Sequence, residues 1–101
     1  MEIEVVEFYP KKVEREQMLL KGSLHVYLID WQADLRGIFV HRIKDQWRFF
    51  LPFGWGIDLE TTQEVRYPIL SLTDGEKHRK LVSNIRKQGK EYIMENYKDL
   101  L

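Results

Sequence analysis

Hydrophobic and polar residues alternate with period two through the first half of the chain, and a helical repeat takes over at its end. Residues 2–9, EIEVVEFY, alternate imperfectly, with Ile3, Val5 and Tyr9 on one side and Val6 and Phe8 on the other. They predict a first strand near a sheet edge, ended by Pro10, which lacks a ladder donor. Lys11 to Gln17 has no period and reads as a charged loop. In 19–30, Leu24, Val26 and Leu28 share one face, and His25, Tyr27, Ile29 and Trp31 share the other. Both faces are mostly apolar, which predicts a central strand. After a break at Asp30–Asp34, residues 35–43 place Ile38 and Val40 on one face and Phe39, His41 and Ile43 on the other. Gly37 inside that strand predicts a bulge or a close backbone approach. Lys44-Asp45-Gln46 fits a hairpin connection into a strand from Trp47 to Leu51. Pro52, Gly54 and Gly56 punctuate a loop carrying Phe53 and Trp55. A turn at Glu60–Gln63 leads to a fifth strand, Val65 to Leu72, which Pro68 demotes toward an edge.

From Thr73 the period becomes helical. Thr73-Asp74-Gly75-Glu76 has capping-box spacing, with Thr73 as the cap. His78, Leu81, Val82, Ile85, Gly89, Tyr92, Ile93, Asn96 and Leu100 then fall in one stripe, with Arg79, Lys80, Arg86, Lys87 and Lys90 on the opposite half. Gly89 would be a natural C-cap, but the stripe runs through it in phase. The expectation is a helix to about Tyr97 in which Gly89 lets a strand come close. The fold class predicted is α+β: a small antiparallel sheet of four to five strands followed by one long C-terminal amphipathic helix. Residues 1–101 form one domain on this reading. One helix covers only part of one sheet face, so the aromatic other face is expected to need a partner subunit, a ligand or both, with a homodimer the economical answer.

Composition narrows the function classes. Apolar residues make up 44% and charged residues 32%, as in ordinary soluble domains. Cysteine is absent, which excludes disulfides and thiolate chemistry. No apolar run is long enough for a membrane span, and MEIEVVEF has no basic leader, so a cytoplasmic bacterial, phage or archaeal protein with no membrane association is expected. Sixteen Lys+Arg balance sixteen Asp+Glu, so polyanion binding would need a local patch. Lys77 to Lys90 supplies one, with six basic residues and no acidic one.

Arg36 to Gly56 interleaves Phe39, Trp47, Phe49, Phe50, Phe53 and Trp55 with Arg36, His41, Arg42, Lys44 and Arg48. Such a mixture reads either as a sheet core with a wet rim or as a surface on which bases stack between phosphate-binding cations. On the second reading the candidate nucleic-acid-binding residues are Arg42, Lys44, Arg48, Trp55, Lys80, Arg86 and Lys87. Phe53 and Trp55 form a candidate interaction loop, since a Trp between two glycines has no period to place it in a core. Phe39, Phe49, Phe50 and Leu51 read as core. His25 and His41 share a parity on adjacent strands, a pair without a third ligand, and no metal site is expected. His78 reads as packed. Asp58 and Glu60 are two acids in a loop, read as ordinary solvation. No nucleophile triad, phosphate loop or HExxH is present, so neither an enzyme nor a cofactor is expected.

The order of these signals resembles the SpoVG-like family of small bacterial regulators, the stage V sporulation protein G type. The matching features are the short first strand, the apolar strand pair, the FV-containing strand at Gly37 to Val40, Leu51-Pro52, and Tyr67-Pro68 before a C-terminal helix. They run in order over most of residues 2–90. The resemblance implies a dimeric antiparallel sheet with a helix that binds DNA or RNA and affects septation and gene expression. One departure stands out. The family carries a basic Ser-Lys-Arg-type segment after its Pro, whereas Pro52 here is followed by Phe53-Gly54-Trp55-Gly56, with no base until Arg66. Two further readings stay open: a protein-interaction module docking through the aromatic loop without nucleic acid, and a coactivator-like fold for single-stranded DNA.

Overall fold

The fold, from a computed structural model, is α+β. Residues 2–68, 70 and 72–100 are described, with Trp55, Gly56, Tyr67 and Pro68 described as backbone only. Strands β1 (Ile3–Pro10), β2 (Met18–Leu28), β3 (Ala33–Ile43) and β4 (Gln46–Phe50) form one antiparallel sheet in that spatial order. β5 (Phe53–Ile57) and β6 (Glu64–Pro68) pair as a separate two-stranded arm, and α1 spans Gly75–Asn96. No helix among the described residues is long and apolar enough to cross a membrane.

The alternation holds best in β2, where Leu20, Leu24, Val26 and Leu28 are all buried on the face that α1 covers. The strand lies inside the sheet, as two largely apolar faces predict. It stops at Leu28, and a 3₁₀ turn at Ile29–Trp31 carries Ile29 and Trp31 out of the sheet into exposed positions.

β1 departs from the predicted parity for a definable reason. Val5 pairs with Val26 and Glu7 with His25, so Val6 is an extra residue in β1. This bulge lets Ile3 and Phe8 point to the same core although their positions differ in parity. A second bulge lies in β3, where Leu24 pairs with Ile38 but Val26 pairs with Leu35. There Gly37 has φ +80°, a conformation that costs glycine little and other residues more. Leu35 and Ile38 are both buried as a result.

Helix α1 begins one residue later than the capping box predicts. Asp74, not Thr73, is the N-cap: its Oδ1 accepts from the Glu76 and Lys77 amides at 3.0 and 3.1 Å. Glu76 lies one position too early to reach back, and its carboxylate pairs with Lys80 at 3.3 Å instead. The buried stripe is Leu81, Ile85, Gly89 and Ile93. Asn96 and Leu100, expected to continue it, are exposed, and Leu100 belongs to a separate 3₁₀ turn. Gly89 is inside the helix at a close approach, as expected. A Cβ there would lie 2.8 Å from both Leu24 Cδ2 and Phe49 Cε1. The helix end is tied to β1 through Glu7, whose Oε1 accepts from the Tyr97 hydroxyl at 2.6 Å and the Tyr92 hydroxyl at 3.1 Å. These bonds and that of the Phe8 amide hold the Glu7 carboxyl below its usual 4.5, Tyr97 contributing most.

The segment after Pro52 is not the predicted loop. Phe53–Ile57 is a strand paired with β6, Trp55 opposite Arg66, turning through Asp58–Gln63. Glycines that weaken strand propensity are tolerated here by the hairpin pairing. The last strand ends at Pro68, not Leu72; Ile69 and Ser71 lie outside the described residues.

Candidate nucleic-acid interface

A broad concavity lies between edge strand β4 and the middle of α1. It is an open groove of about 1190 Å³. More than three turns of α1 supply one wall. Arg79, Ser83, Arg86 and Lys90 recur at helical spacing, so one side of the helix presents cations toward β4. Trp47 and Phe49 supply the aromatic floor, half-buried and stacked with an 18° angle between their rings. Strand alternation sends Trp47 and Phe49 to the helix side and Arg48 and Phe50 to the other, and all four border the groove because β4 is the sheet edge. Among the described residues, five cations line it, Arg48, Arg79, Arg86, Lys87 and Lys90, against one acid, Asp45. That acid lies 3.6 Å from the Arg42 guanidinium. A neutral chain thus concentrates positive charge along one edge, which favours a polyanion there.

The outer sheet face continues this surface around β4. Arg48 pairs with His41 and His41 with Lys21, giving a row across three strands. The next row is Phe50, Phe39 and Ser23. Rings of Phe39, His41 and Phe50 contact one another with centroids 5.5 to 6.2 Å apart. Burial, and the positive charges of Arg48 and Arg15, hold the His41 imidazole below its usual 6.5. His41 Nδ1 is buried and has no hydrogen-bond partner among the described residues.

The predicted site residues divide. Arg48, Arg86 and Lys87 come together in the groove. Arg42 is turned to structural use: its guanidinium lies 5.5 Å from the Trp47 ring centre, and its Nε donates to the Lys44 carbonyl at 2.7 Å. Lys44 is exposed at the tip of the β3–β4 hairpin with φ +55°. Lys80 faces elsewhere, paired with Glu76. Phe53 is on the arm with the Arg66 guanidinium 4.8 Å over its ring. The Trp55 side chain lies outside the described residues. Arg79 and Lys90, named only as part of the helix's basic half, belong to the groove. Phe50, expected in the core, is 42% exposed, and Phe39 is half-buried. Lys21 had no signal in the sequence, since only the β2–β3 register brings it beside His41.

Other candidates resolve into structure. His25 and His41 do not meet: His41 is opposite Lys21, four residues or roughly 13 Å along β2 from His25. His25 is 6% exposed, and its Nε2 lies 2.8 Å from Asp34 Oδ1. Asp58 Oδ1 accepts from the Glu60 and Thr61 amides, so it builds the arm's turn. His78 borders the groove and accepts at Nδ1 from the Leu72 amide at 3.4 Å. The arm exposes Ile57 and Val65, and Leu59 at its tip is 93% exposed. Comparison with family models, curated proteins and solved structures returns no match.

Proposed function

We propose that the protein is a small dimeric nucleic-acid-binding regulator of the cytoplasm, of the kind the SpoVG resemblance implies, and that the β4–α1 groove is its binding surface. The observation that supports this reading is the convergence of Arg48, Arg79, Arg86, Lys87 and Lys90 on one groove floored by Trp47 and Phe49. Phosphates take the cations and release counterions, while the rings offer flat surface beside them. The groove also replaces what the resemblance lacks after Pro52: the contact residues come from β4 and α1. The Arg86→Glu, Lys87→Glu variant tests the assignment. It reverses two exposed charges, so the fold persists, and binding of a labelled oligonucleotide falls at least tenfold. Unchanged binding by a folded variant removes the groove from the function.

The second reading is a protein-interaction module, and the arm favours it. Leu59, Ile57 and Val65 leave apolar surface on a hairpin held mainly by its own pairing. On that reading Leu59→Ser, Ile57→Ser disrupts association with a second copy or another protein, and the groove charges are indifferent. The two variants separate the readings.

A further inference from the structure

Resting on the groove as a nucleic-acid site, we infer that the outer face of β2–β3–β4 is a base-stacking platform, which makes the ligand a single strand and not a duplex. Three observations carry this. First, the rows are ordered by chemistry. Arg48, His41 and Lys21 lie side by side across the sheet, and Phe50, Phe39 and Ser23 lie side by side next to them. Two positions along a strand are roughly 7 Å apart, so a base on the rings leaves its phosphate within reach of long basic side chains. Arg15, in the turn before β2, is near enough for its charge to act on His41 and adds a cation beside that row.

Second, the aromatic surface is available. Phe50 is 42% exposed although the helix-covered face buries its aliphatic residues almost completely. The three rings already pack on one another, so little side-chain freedom remains to be lost when a base lands on them. His41 sits between two cationic neighbours and is biased to the neutral form, which suits a ring that stacks.

Third, the platform and the groove share Arg48 and Phe50 at the sheet edge. A flexible single strand can turn around β4 and keep its phosphates on the helix cations while a base lies on the outer face. A duplex presents its bases stacked inside and gives the rings nothing to stack on. A second copy of the chain on this face is the competing occupant. The cations Arg48, Lys21 and Arg15 argue against it, because a twofold contact would bring the same charges together.

The test compares ten-residue dT and rU single strands with a duplex of equal length at one salt concentration, using wild type, Phe50→Ala, and Arg86→Glu, Lys87→Glu. Sedimentation is run in parallel. The platform predicts at least tenfold preference of wild type for single strands. Phe50→Ala weakens single-strand binding by about 5- to 150-fold and duplex binding far less. Ring resonances of Phe39 and Phe50 shift on titration with dT. The proposal is overturned if Phe50→Ala weakens both ligands equally or neither. It is also overturned if the variant loses a dimer while each protomer binds as before, which assigns the face to a second copy. Loss of binding in the charge variant alone keeps the groove and removes the platform; no binding of any ligand by wild type removes both.

Discussion

The two faces of the four-stranded sheet are built from the same strands and have opposite characters. The face under α1 is aliphatic and closed: Leu24, Val26, Ile38 and Val40 meet Leu81, Ile85 and Ile93, all but inaccessible to water. The outer face, on the other parity of β3 and β4, carries Phe39, His41, Arg48 and Phe50 and is partly open. An apolar side chain on the closed face serves folding, because its burial is complete. A half-exposed Phe beside cations contributes little to folding and remains free to contact something else. The difference assigns stability to one face and, on the proposed function, binding to the other.

That assignment can be broken by substitution. Leu24→Ala removes fully buried contacts with β1, β3 and α1, and denaturant unfolding should show about 2–5 kcal/mol of lost stability. A loss well under 1 kcal/mol would mean that the closed face is not closed. Gly89→Val places side-chain atoms where Leu24 and Phe49 already lie, and about 1–3 kcal/mol of destabilisation is expected despite better helix propensity than glycine. Asp74→Ala leaves two helix N-terminal amides uncapped, at about 1 kcal/mol. Phe50→Ala, on the open face, should change stability by about 1 kcal/mol or less. A loss of about 3 kcal/mol or more there would show the outer face to be core, as the sequence suggests.

The smallest expected effect concerns acid. The Glu7 carboxyl is held below its unfolded value by the Tyr97 and Tyr92 hydroxyls and the Phe8 amide. Its contribution is therefore present above the ordinary carboxylate range and lost as pH falls through the folded value. Glu7→Gln should flatten the fall in stability below pH 4.5, measured by thermal melts across the acid range. Tyr97 has the complementary shift, pushed up to about 12 chiefly by Glu7. Its contribution persists below its usual 10 and is lost as pH rises toward 12. If wild type and Glu7→Gln have superimposable acid profiles, the link between β1 and the helix end is not energetic.

Much of the closed face was legible from residue order. Leu24, Val26 and Leu28, Ile38 and Val40, and the helical stripe through Ile93 follow from period alone, and Gly37 and Gly89 are where glycine is needed. The errors share a cause. Val6 in β1 is a bulge, which shifts parity without leaving a distinctive residue. Phe50 looks like core because its neighbour Phe49 is core-facing, and only the edge position of β4 shows what is left uncovered. Phe53–Ile57 reads as a loop because glycine and proline are weak strand formers, whereas a partner strand supplies what propensity lacks. The site is less legible still. Arg48 and Lys90 lie 42 positions apart in the chain and meet only because α1 folds back across the sheet to β4. Spacing alone cannot select Arg86 over Lys80.

The central claim is that phosphate contacts at the β4–α1 groove carry the function, and the salt dependence of oligonucleotide binding tests it most directly. Anisotropy of a labelled single strand should show micromolar or tighter binding at about 50 mM salt, weakening steeply toward 200 mM, with a slope set by the number of groove cations engaged. The Arg86→Glu, Lys87→Glu variant should show a shallower slope. No binding by the folded protein at about 50 mM salt, or binding insensitive to salt, contradicts the account.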